Sequence, residues 1–234
     1  MIEILQNYWL QLLIGGFPHT PLGGLALTLI LAVSGLVLAM PVGLLMAVPL
    51  RSRFRPVKAL AELVVFYIRS VPLLLHVLWV YFLMPAIIGV SFPPAITMLI
   101  TLVLFNGAYI SKIVVAGIDA LPRGQTEAAL SLGFGRVQTM RHIVLPQALR
   151  NMLPSLVSQL SLLIKETALG AAIGATEAMQ TFLDLADNLP GQAIQVYALL
   201  ALAYFALCYP LLLVGRRLER RGSRAAKIAT EPAS

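Results

Sequence analysis

The sequence predicts an all-α membrane protein with about five transmembrane helices, and three of its features lead to this prediction. First, 59% of the 234 residues are hydrophobic and only 12% are charged, whereas a soluble globular chain carries about 25% charged residues. Second, long apolar runs recur along the chain, and the mean hydropathy is +0.87. Third, the Lys and Arg residues behind the net charge of +7 lie in short clusters between those runs. This pattern is typical of membrane topology and argues against a nucleic-acid-binding face.

The apolar runs define the domain organisation. Residues 1–21 combine aromatic residues and leucine pairs with polar residues, so we expect an interfacial helix that leads into the first span. The uncharged run Leu22–Leu50 would be about 43 Å long as a helix, which exceeds the roughly 30 Å hydrocarbon core, so it must tilt or bend. The other predicted spans cover about Val57–Met84, Pro93–Ile118, Leu153–Ala175 and Gln192–Gly215. The transmembrane domain is therefore predicted over residues 22–215, with a basic tail over residues 216–234.

The distribution of positive charge predicts the orientation of the chain. The loop after the first span, the central polar segment and the tail together hold 14 of the 17 Lys and Arg residues, and the other three lie within spans. The charged residues on the opposite side are all acidic, and Glu177 is one of them. By the positive-inside rule the N-terminus is outside, and the central segment and the C-terminus are cytoplasmic.

The central polar segment, residues 121–154, predicts two short helices joined by a tight turn. Thr126 is a candidate cap for the first helix, and Glu127 in its first turn would suit the helix dipole. Gly133 is predicted to end that helix, because only glycine adopts positive φ without cost. We therefore expect a compact structure and not a flexible loop.

The second short helix is predicted from Arg136 to Val144, since Val137, Met140 and Val144 share one face. Pro146 is predicted to force Leu145 out of helical geometry and so to stop the helix. An ordinary amphipathic hairpin on the membrane surface would explain the same pattern.

The same segment resembles the EAA loop of the membrane subunits of ABC importers. The matching residues are Glu127, Ala128, Ala129, Leu132, Gly133, Ile143, Leu145, Pro146, Ala148 and Arg150. In that family the loop is a coupling helix that sits in a groove of a cytoplasmic ATPase. The resemblance implies a coupling loop at about residues 119–151, with ATPase coupling by Glu127, Ala128, Ala129, Leu132, Gly133, Leu145 and Pro146.

Segments outside the loop resemble the histidine/glutamine-type permeases of polar amino-acid uptake systems. They are residues 67–74 (YIRSVPLL), 106–109 (NGAY), the lead into the loop at 117–125, and residues 163–169 (LIKETAL). The resemblance implies a bacterial inner-membrane, multi-pass subunit that carries an amino acid or a related compound. Its implied partners are cytoplasmic ABC ATPase subunits, a second permease subunit in a homodimer or heterodimer, and an external substrate-binding protein.

Charged residues within the spans are candidates for the translocation path. A charge at bilayer depth is costly unless it is paired or hydrated, so Arg69, Lys112 and Glu166 are functional candidates by default. Lys165 either pairs with a neighbouring helix or extends to the interface. Lys112 either meets substrate or pairs with Glu166, and both interpretations stay open.

Three uncharged or weakly basic residues complete the candidate set. Pro72 is either a simple kink or part of a gate, and Asn106 either joins helices or binds substrate. His76 stands where the resembling permeases usually have Gln. The translocation-path candidates are therefore Arg69, Pro72, His76, Asn106, Lys112, Lys165 and Glu166.

The span charges also bear on the substrate. Glu62 is expected to pair with Lys58 one helical turn away, which leaves the deeper residues with an excess of positive charge. Lys112 occupies a position where the resembling permeases commonly have Glu. We therefore expect a neutral or anionic amino acid, or a related organic acid, in preference to arginine or lysine.

The sequence lacks the motifs of several other functions. It contains no G-x-x-x-x-G-K-[ST] segment to bind ATP phosphates, and its three histidines have no metal-ligand spacing. We expect no cofactor and no enzymatic activity, with ATP hydrolysis by a separate subunit. The main alternative is a self-sufficient secondary transporter or channel, although the sequence shows no inverted repeat.

Overall fold

The computed structural model describes residues 2–230, and among these it describes no side chain for Arg123 or for residues 221–230. The predicted tail 216–234 thus lies partly outside the described residues. The α-helices are α1 (Ile2–Ile14), α2 (Gly24–Leu50), α3 (Arg55–Ser70), α4 (Leu73–Leu78), α5 (Met84–Ile88), α6 (Pro94–Asp119), α7 (Arg123–Ser131), α8 (Arg136–Thr139), α9 (Leu145–Glu166), α10 (Ala178–Asn188) and α11 (Ala193–Thr230). Within residues 2–230, the only β-type pairing is an isolated bridge between Gly24 and Glu177.

Four helical segments are long and apolar enough to cross a membrane. They are Gly24–Leu50, Pro94–Asp119, Arg136–Ile173 and Pro190–Arg220. A fifth span results if the bent pair Arg55–Ser70 and Leu73–Ile88 is counted as one. The all-helical fold with about five spans is therefore confirmed.

The interruption of the second span lies where the sequence predicts it. The two halves of this span, α3 and the segment that begins with α4, meet at an angle of 97°. Val71 has extended backbone angles because the ring of Pro72 disfavours helical geometry in the residue before it. Pro72 then precedes the first turn of α4 with its own φ of −55°. The break is therefore a change of chain direction and not a mild kink.

The core lies where α2, α6 and α9 meet. Leu31, Leu102 and Leu163 from these helices are buried in one cluster. Helices α2 and α6 approach closely through two glycines, since a methyl group at Gly43 would lie 2.5 Å from Ile110 Cγ2. A methyl group at Gly107 would likewise lie 2.6 Å from a Val42 methyl carbon. Small residues of this kind let transmembrane helices pack tightly.

The structure corrects two predicted boundaries and adds one helix. The fourth span begins at Arg136 and not at about Leu153, because its helix is continuous with the second arm of the central segment. The connection before the fifth span contains α10, which the sequence analysis missed. Helix α11 runs on to Thr230, so the described part of the tail continues the fifth span without a break. Helix α1 packs against α10 and α11 through buried Ile4 and Leu12.

Candidate functional site

The central segment forms a hairpin between α7 and α8, which we call the coupling hairpin (residues 123–144). Its turn is closed by two backbone bonds, from Gly133 N–H to Leu130 O at 3.1 Å and from Phe134 N–H to Ala129 O at 3.1 Å. Gly133 has φ +84°, as a helix ending of this type requires. The prediction that the first helix ends at this glycine is confirmed.

The predicted start of the first helix is wrong. Helix α7 begins at Arg123 after Pro122, so Thr126 and Glu127 lie within the helix and neither occupies the positions proposed for them. The fixed φ of Pro122 suits the residue before a helix, and no side chain caps this one. Glu127 is exposed on the surface of the hairpin.

The predicted stop at Pro146 is also wrong. A π-helical turn, Met140–Val144, connects α8 directly to α9, and the Leu145 N–H donates to Met140 O. This wider turn moves the carbonyls out of the usual i−4 register, so the proline ring is accommodated and its missing N–H is tolerated. The second arm of the coupling hairpin therefore continues as one helix into the bundle.

The tip of the coupling hairpin is apolar and exposed. Leu132 and Val137 are each 79% exposed, and Leu130 and Phe134 are also exposed. Ala129, by contrast, is buried under the turn. Large exposed apolar side chains on a rigid turn are typical of an interaction surface.

A hydrogen-bonded chain joins α6 and α9 inside the bundle. Asn106, which is fully buried, donates from Nδ2 to Glu166 Oε2 at 2.8 Å and accepts from Gln159 Nε2. Asn106 therefore connects the two helices. Among the described residues Lys112 makes no ion pair with Glu166, and Lys165 is exposed.

Aromatic side chains from α4 and α6 lie in contact with one another, and Arg69 packs against one of them. The Arg69 guanidinium lies 4.6 Å from the centre of the Tyr109 ring, a cation–π distance. The Phe105 ring lies 5.2 Å from Tyr109 and 5.3 Å from His76. His76 Nδ1 is 3.2 Å from Pro72 O, within hydrogen-bonding distance of that carbonyl.

A cavity of about 390 Å³ lies between α3, α6 and α9, and we call it the path cavity. Its polar lining residues are Arg69, Tyr109, Lys112, Asn151, Ser155 and Gln159. It thus contains two cations and no acidic side chain. The volume lies in the range of small-molecule sites.

Sequence reasoning missed the contribution of α9 to this cavity. Asn151, Ser155 and Gln159 recur every four residues and therefore lie on one face of the helix. Such a polar stripe within an apolar span would have indicated a pore-facing side. The expected pairing of Glu62 is confirmed, since its Oε1 lies 3.8 Å from Lys58 Nζ.

A second carboxylate, Glu177, lies in the connection that the sequence analysis described as acidic only. It is fully buried, and its carboxylate accepts from the backbone N–H groups of Met179 (2.9 Å) and Gln180 (3.1 Å). It also accepts from Thr28 Oγ1 at 3.3 Å and from the Tyr204 hydroxyl at 3.2 Å. Burial raises the pKa of the Glu177 carboxyl, and these hydrogen bonds oppose the rise.

The Glu177 cluster closes the end of the bundle opposite the coupling hairpin. Thr28 Oγ1 accepts in turn from Ala178 N–H at 3.0 Å, and Gly24 N–H donates to Thr176 O at 2.9 Å. The start of α2 is thereby fastened to the start of α10. Glutamate is not among the residues that usually cap helices, so no local pattern pointed to this role.

Long apolar helices around a polar, cationic cavity, with a helical hairpin at one end, are the features expected of a membrane permease. Residues 39–224 match the family described as binding-protein-dependent transport system inner membrane component. The chain belongs to this family, and the alternative of a self-sufficient transporter or channel is set aside. It is accordingly a multi-pass plasma-membrane protein. Permeases of this family act with ATPase and substrate-binding subunits, and ATP hydrolysis belongs to the separate ATPase subunit.

Curated relatives cover most of the chain. It is 35% identical over 205 residues to the inner membrane amino-acid ABC transporter permease protein YhdY of Escherichia coli (strain K12), covering 85% of this chain and 55% of that relative. It is 32% identical over 206 residues to the arginine transport system permease protein ArtQ of Bacillus subtilis (strain 168), covering 87% and 94%. It is also 32% identical over 207 residues to the glutamate/aspartate import permease protein GltK of Escherichia coli O6:H1, covering 86% and 92%.

A solved structure has the same fold. The crystal structure of an amino acid ABC transporter with histidines superposes with a TM-score of 0.74 at 30% identity, covering 85% of this chain and 92% of that one. The chain spans just over half the length of YhdY but nearly the full length of ArtQ and GltK.

Proposed function

We propose that this chain forms the translocation path of an ATP-driven importer for a neutral or anionic amino acid, or a related organic acid. The observation that carries the proposal is the path cavity, where Arg69 and Lys112 face polar α9 residues and no acidic side chain contributes to the lining. Arg69 offers a planar fork for a substrate carboxylate. A second cation nearby increases the attraction.

Similarity alone does not select the substrate. ArtQ is named for arginine and GltK for glutamate and aspartate, and this chain is 32% identical to each. The positive charge of the path cavity supports a neutral or anionic substrate. Two like charges 4 Å apart repel by about 4 kcal/mol at an effective dielectric constant of 20, so a cationic substrate side chain beside Lys112 is disfavoured.

Uptake competition tests the substrate class. In cells that carry only this system, neutral or acidic amino acids should compete with a labelled substrate far better than arginine or lysine. Replacing Lys112 by Glu should shift the preference towards cationic amino acids by roughly tenfold or more, since it reverses the charge of the cavity wall. Arg55→Glu, at an exposed cation outside the cavity lining, is the matched control. Arginine as the best competitor of the unmodified protein would contradict the proposal.

The coupling hairpin is the proposed docking site for the ATPase, with Glu127, Ala128, Ala129, Leu132, Gly133, Leu145 and Pro146 as the coupling residues. Continuity of α8, the π turn and α9 supports this role. A displacement of the coupling hairpin by the ATPase would be transmitted along one helix to Gln159 and Glu166. Pro72, at the 97° break, and His76 are the proposed flexible wall of the same path.

The orientation that fits this role has the N-terminus outside and the coupling hairpin and C-terminus in the cytoplasm. The Lys and Arg distribution supports it. In a Cys208→Ser background, an impermeant thiol reagent applied to intact cells should label Gly191→Cys and leave Ser223→Cys unlabelled. The reverse result would put the hairpin on the wrong side for an ATPase. We further propose a second permease subunit and an external binding protein as partners.

A further inference from the structure

A second cavity, of about 510 Å³, lies at the base of the coupling hairpin, and we call it the hairpin cavity. It is enclosed by the ends of α2 and α6, by α7 and by α8. Its charged lining residues are Arg51, Arg53, Arg136 and Asp119. The cavity therefore has an excess of two positive charges.

Only part of this charge is neutralised within the described residues. Arg51, at the end of α2, forms an ion pair with Asp119, at the end of α6. Neither Arg53 nor Arg136 has an ion-pair partner in the part of the chain that the structure describes. Two guanidinium groups thus face the cavity with their charge uncompensated.

A buried hydroxyl group points to a ligand at the same place. Thr139 is only 2% exposed, it lines the hairpin cavity, and its Oγ1 has no hydrogen-bond partner among the described atoms. It lies three residues after Arg136, so both residues face the same side of α8. Buried hydroxyl groups without a partner are rare and require an explanation.

Apart from Thr126, the remaining lining is apolar. Leu121, Leu130 and Met140, together with Ile118 and Val144, form the wall beside the arginines. Guanidinium groups and a hydroxyl beside an apolar wall match the chemistry of a phosphate ester that carries a hydrocarbon chain.

We propose that the hairpin cavity binds a phosphate group, with Arg53 and Arg136 as charged donors and Thr139 as a hydroxyl donor. The apolar wall favours the phosphate of an anionic phospholipid headgroup, and free phosphate is the other possible source. A bound phosphate would tie the coupling hairpin to the ends of α2 and α6. The site does not depend on which substrate is transported.

Native mass spectrometry of the purified full-length chain, with its co-purifying subunits, tests the site. The probes are dioleoyl phosphatidylglycerol, phosphate-free dioleoylglycerol and inorganic phosphate. Phosphatidylglycerol should bind, and the double variant Arg53→Gln/Arg136→Gln should weaken it by more than about tenfold. Arg55→Gln/Arg141→Gln removes two charges nearby but outside the cavity lining, and it should bind as the unmodified chain does.

Thr139→Val separates ligand binding from packing. Valine has nearly the shape of threonine without the hydroxyl, so we expect about fivefold weaker phosphatidylglycerol binding. The melting temperature without lipid should stay equal or rise, because an unpartnered hydroxyl is removed. The stabilisation by phosphatidylglycerol should shrink. An equal rise with and without lipid would overturn the role of this hydroxyl.

Each of the other possible outcomes either supports or overturns the proposed phosphate site. Binding of inorganic phosphate without phosphatidylglycerol would support the site with free phosphate as its source. No binding of either, or the same loss in both double variants, would overturn the proposal. Loss of the ATPase subunits from Arg53→Gln/Arg136→Gln, with phosphatidylglycerol binding unchanged, would assign the arginines to the subunit interface and would also overturn it.

Discussion

Two carboxylates in this protein are removed from water in different ways. Glu177, at the end of the bundle opposite the coupling hairpin, is fully buried and accepts four hydrogen bonds from α10, α2 and α11. Glu166, inside the bundle, is partly exposed and accepts one hydrogen bond from Asn106. A carboxylate whose acceptor positions are filled holds elements together. One with free lone pairs remains available to a ligand or a moving helix.

The same division separates the two halves of the molecule. The Glu177 end is closed by backbone and side-chain bonds within the chain, whereas Arg69 and Lys112 in the path cavity and Arg53 and Arg136 in the hairpin cavity form no ion pair among the described residues. We therefore expect changes at the Glu177 end to act on stability. Changes along the path and the coupling hairpin should act on transport.

The largest expected effect is the loss of stability in Glu177→Leu. Leucine would leave four donors without an acceptor, namely the N–H groups of Met179 and Gln180 and the hydroxyls of Thr28 and Tyr204. Each buried donor left unsatisfied costs about 1–3 kcal/mol, so the free energy of unfolding should fall by at least about 3 kcal/mol. The melting temperature of the detergent-purified protein measures this. Asp187→Leu, at an exposed acid of the same helix, should change it little.

Sequence reasoning was accurate where a residue acts through its own backbone. Gly133 was identified as a turn because only glycine is comfortable at φ +84°. Pro72 was identified as an interruption because proline restricts its predecessor, although that local rule does not give the angle of 97°. Asn106, Arg69 and Lys112 were singled out for a different reason, because polar side chains inside a membrane span are costly, and their role in transport stays a prediction.

Sequence reasoning failed where contacts between residues far apart in the sequence determine the structure. The Glu177 partner Thr28 lies 149 residues away and Tyr204 lies 27 residues away, so no local pattern shows that the carboxylate is buried. Pro146 was taken as a helix stop because the local rule assumes an α-helical register. The π turn before it changes that register, and packing of α9 in the bundle favours the continuous helix.

The comparison becomes sharper if a change in the coupling hairpin affects transport more than it affects stability. Gly133→Val meets no atom within 4 Å, so its effect is backbone strain alone, about 1–3 kcal/mol in a left-handed conformation. We expect uptake and stimulated ATP hydrolysis to fall roughly tenfold, with normal membrane insertion and a smaller fall in melting temperature than in Glu177→Leu. Gly133→Asn is the matched control, because asparagine tolerates this conformation, and it should keep most activity. Normal uptake by Gly133→Val would rule out hairpin coupling.

The smallest expected effect on stability is that of Glu166→Gln, and it tests the comparison most directly. Glutamine keeps a carbonyl oxygen that can accept from Asn106 Nδ2, so the link between α6 and α9 survives and only the charge is lost. The melting temperature should therefore match that of the unmodified protein. A hydrogen bond to a charged group is worth about 1.5–3 kcal/mol, so kcat/KM for uptake should fall about tenfold if this carboxylate takes part in transport.

The same substitution at Glu3, an exposed acid on α1, should change neither quantity. Glu166→Leu is a second test, because it removes the hydrogen-bond acceptor as well as the charge. It leaves the fully buried Asn106 without this acceptor and should therefore lower the melting temperature modestly. If Glu166→Gln loses stability as Glu177→Leu does, the single hydrogen bond at Glu166 is structural after all. The division between a closed end and a working path would then be wrong, because both carboxylates would hold the bundle together.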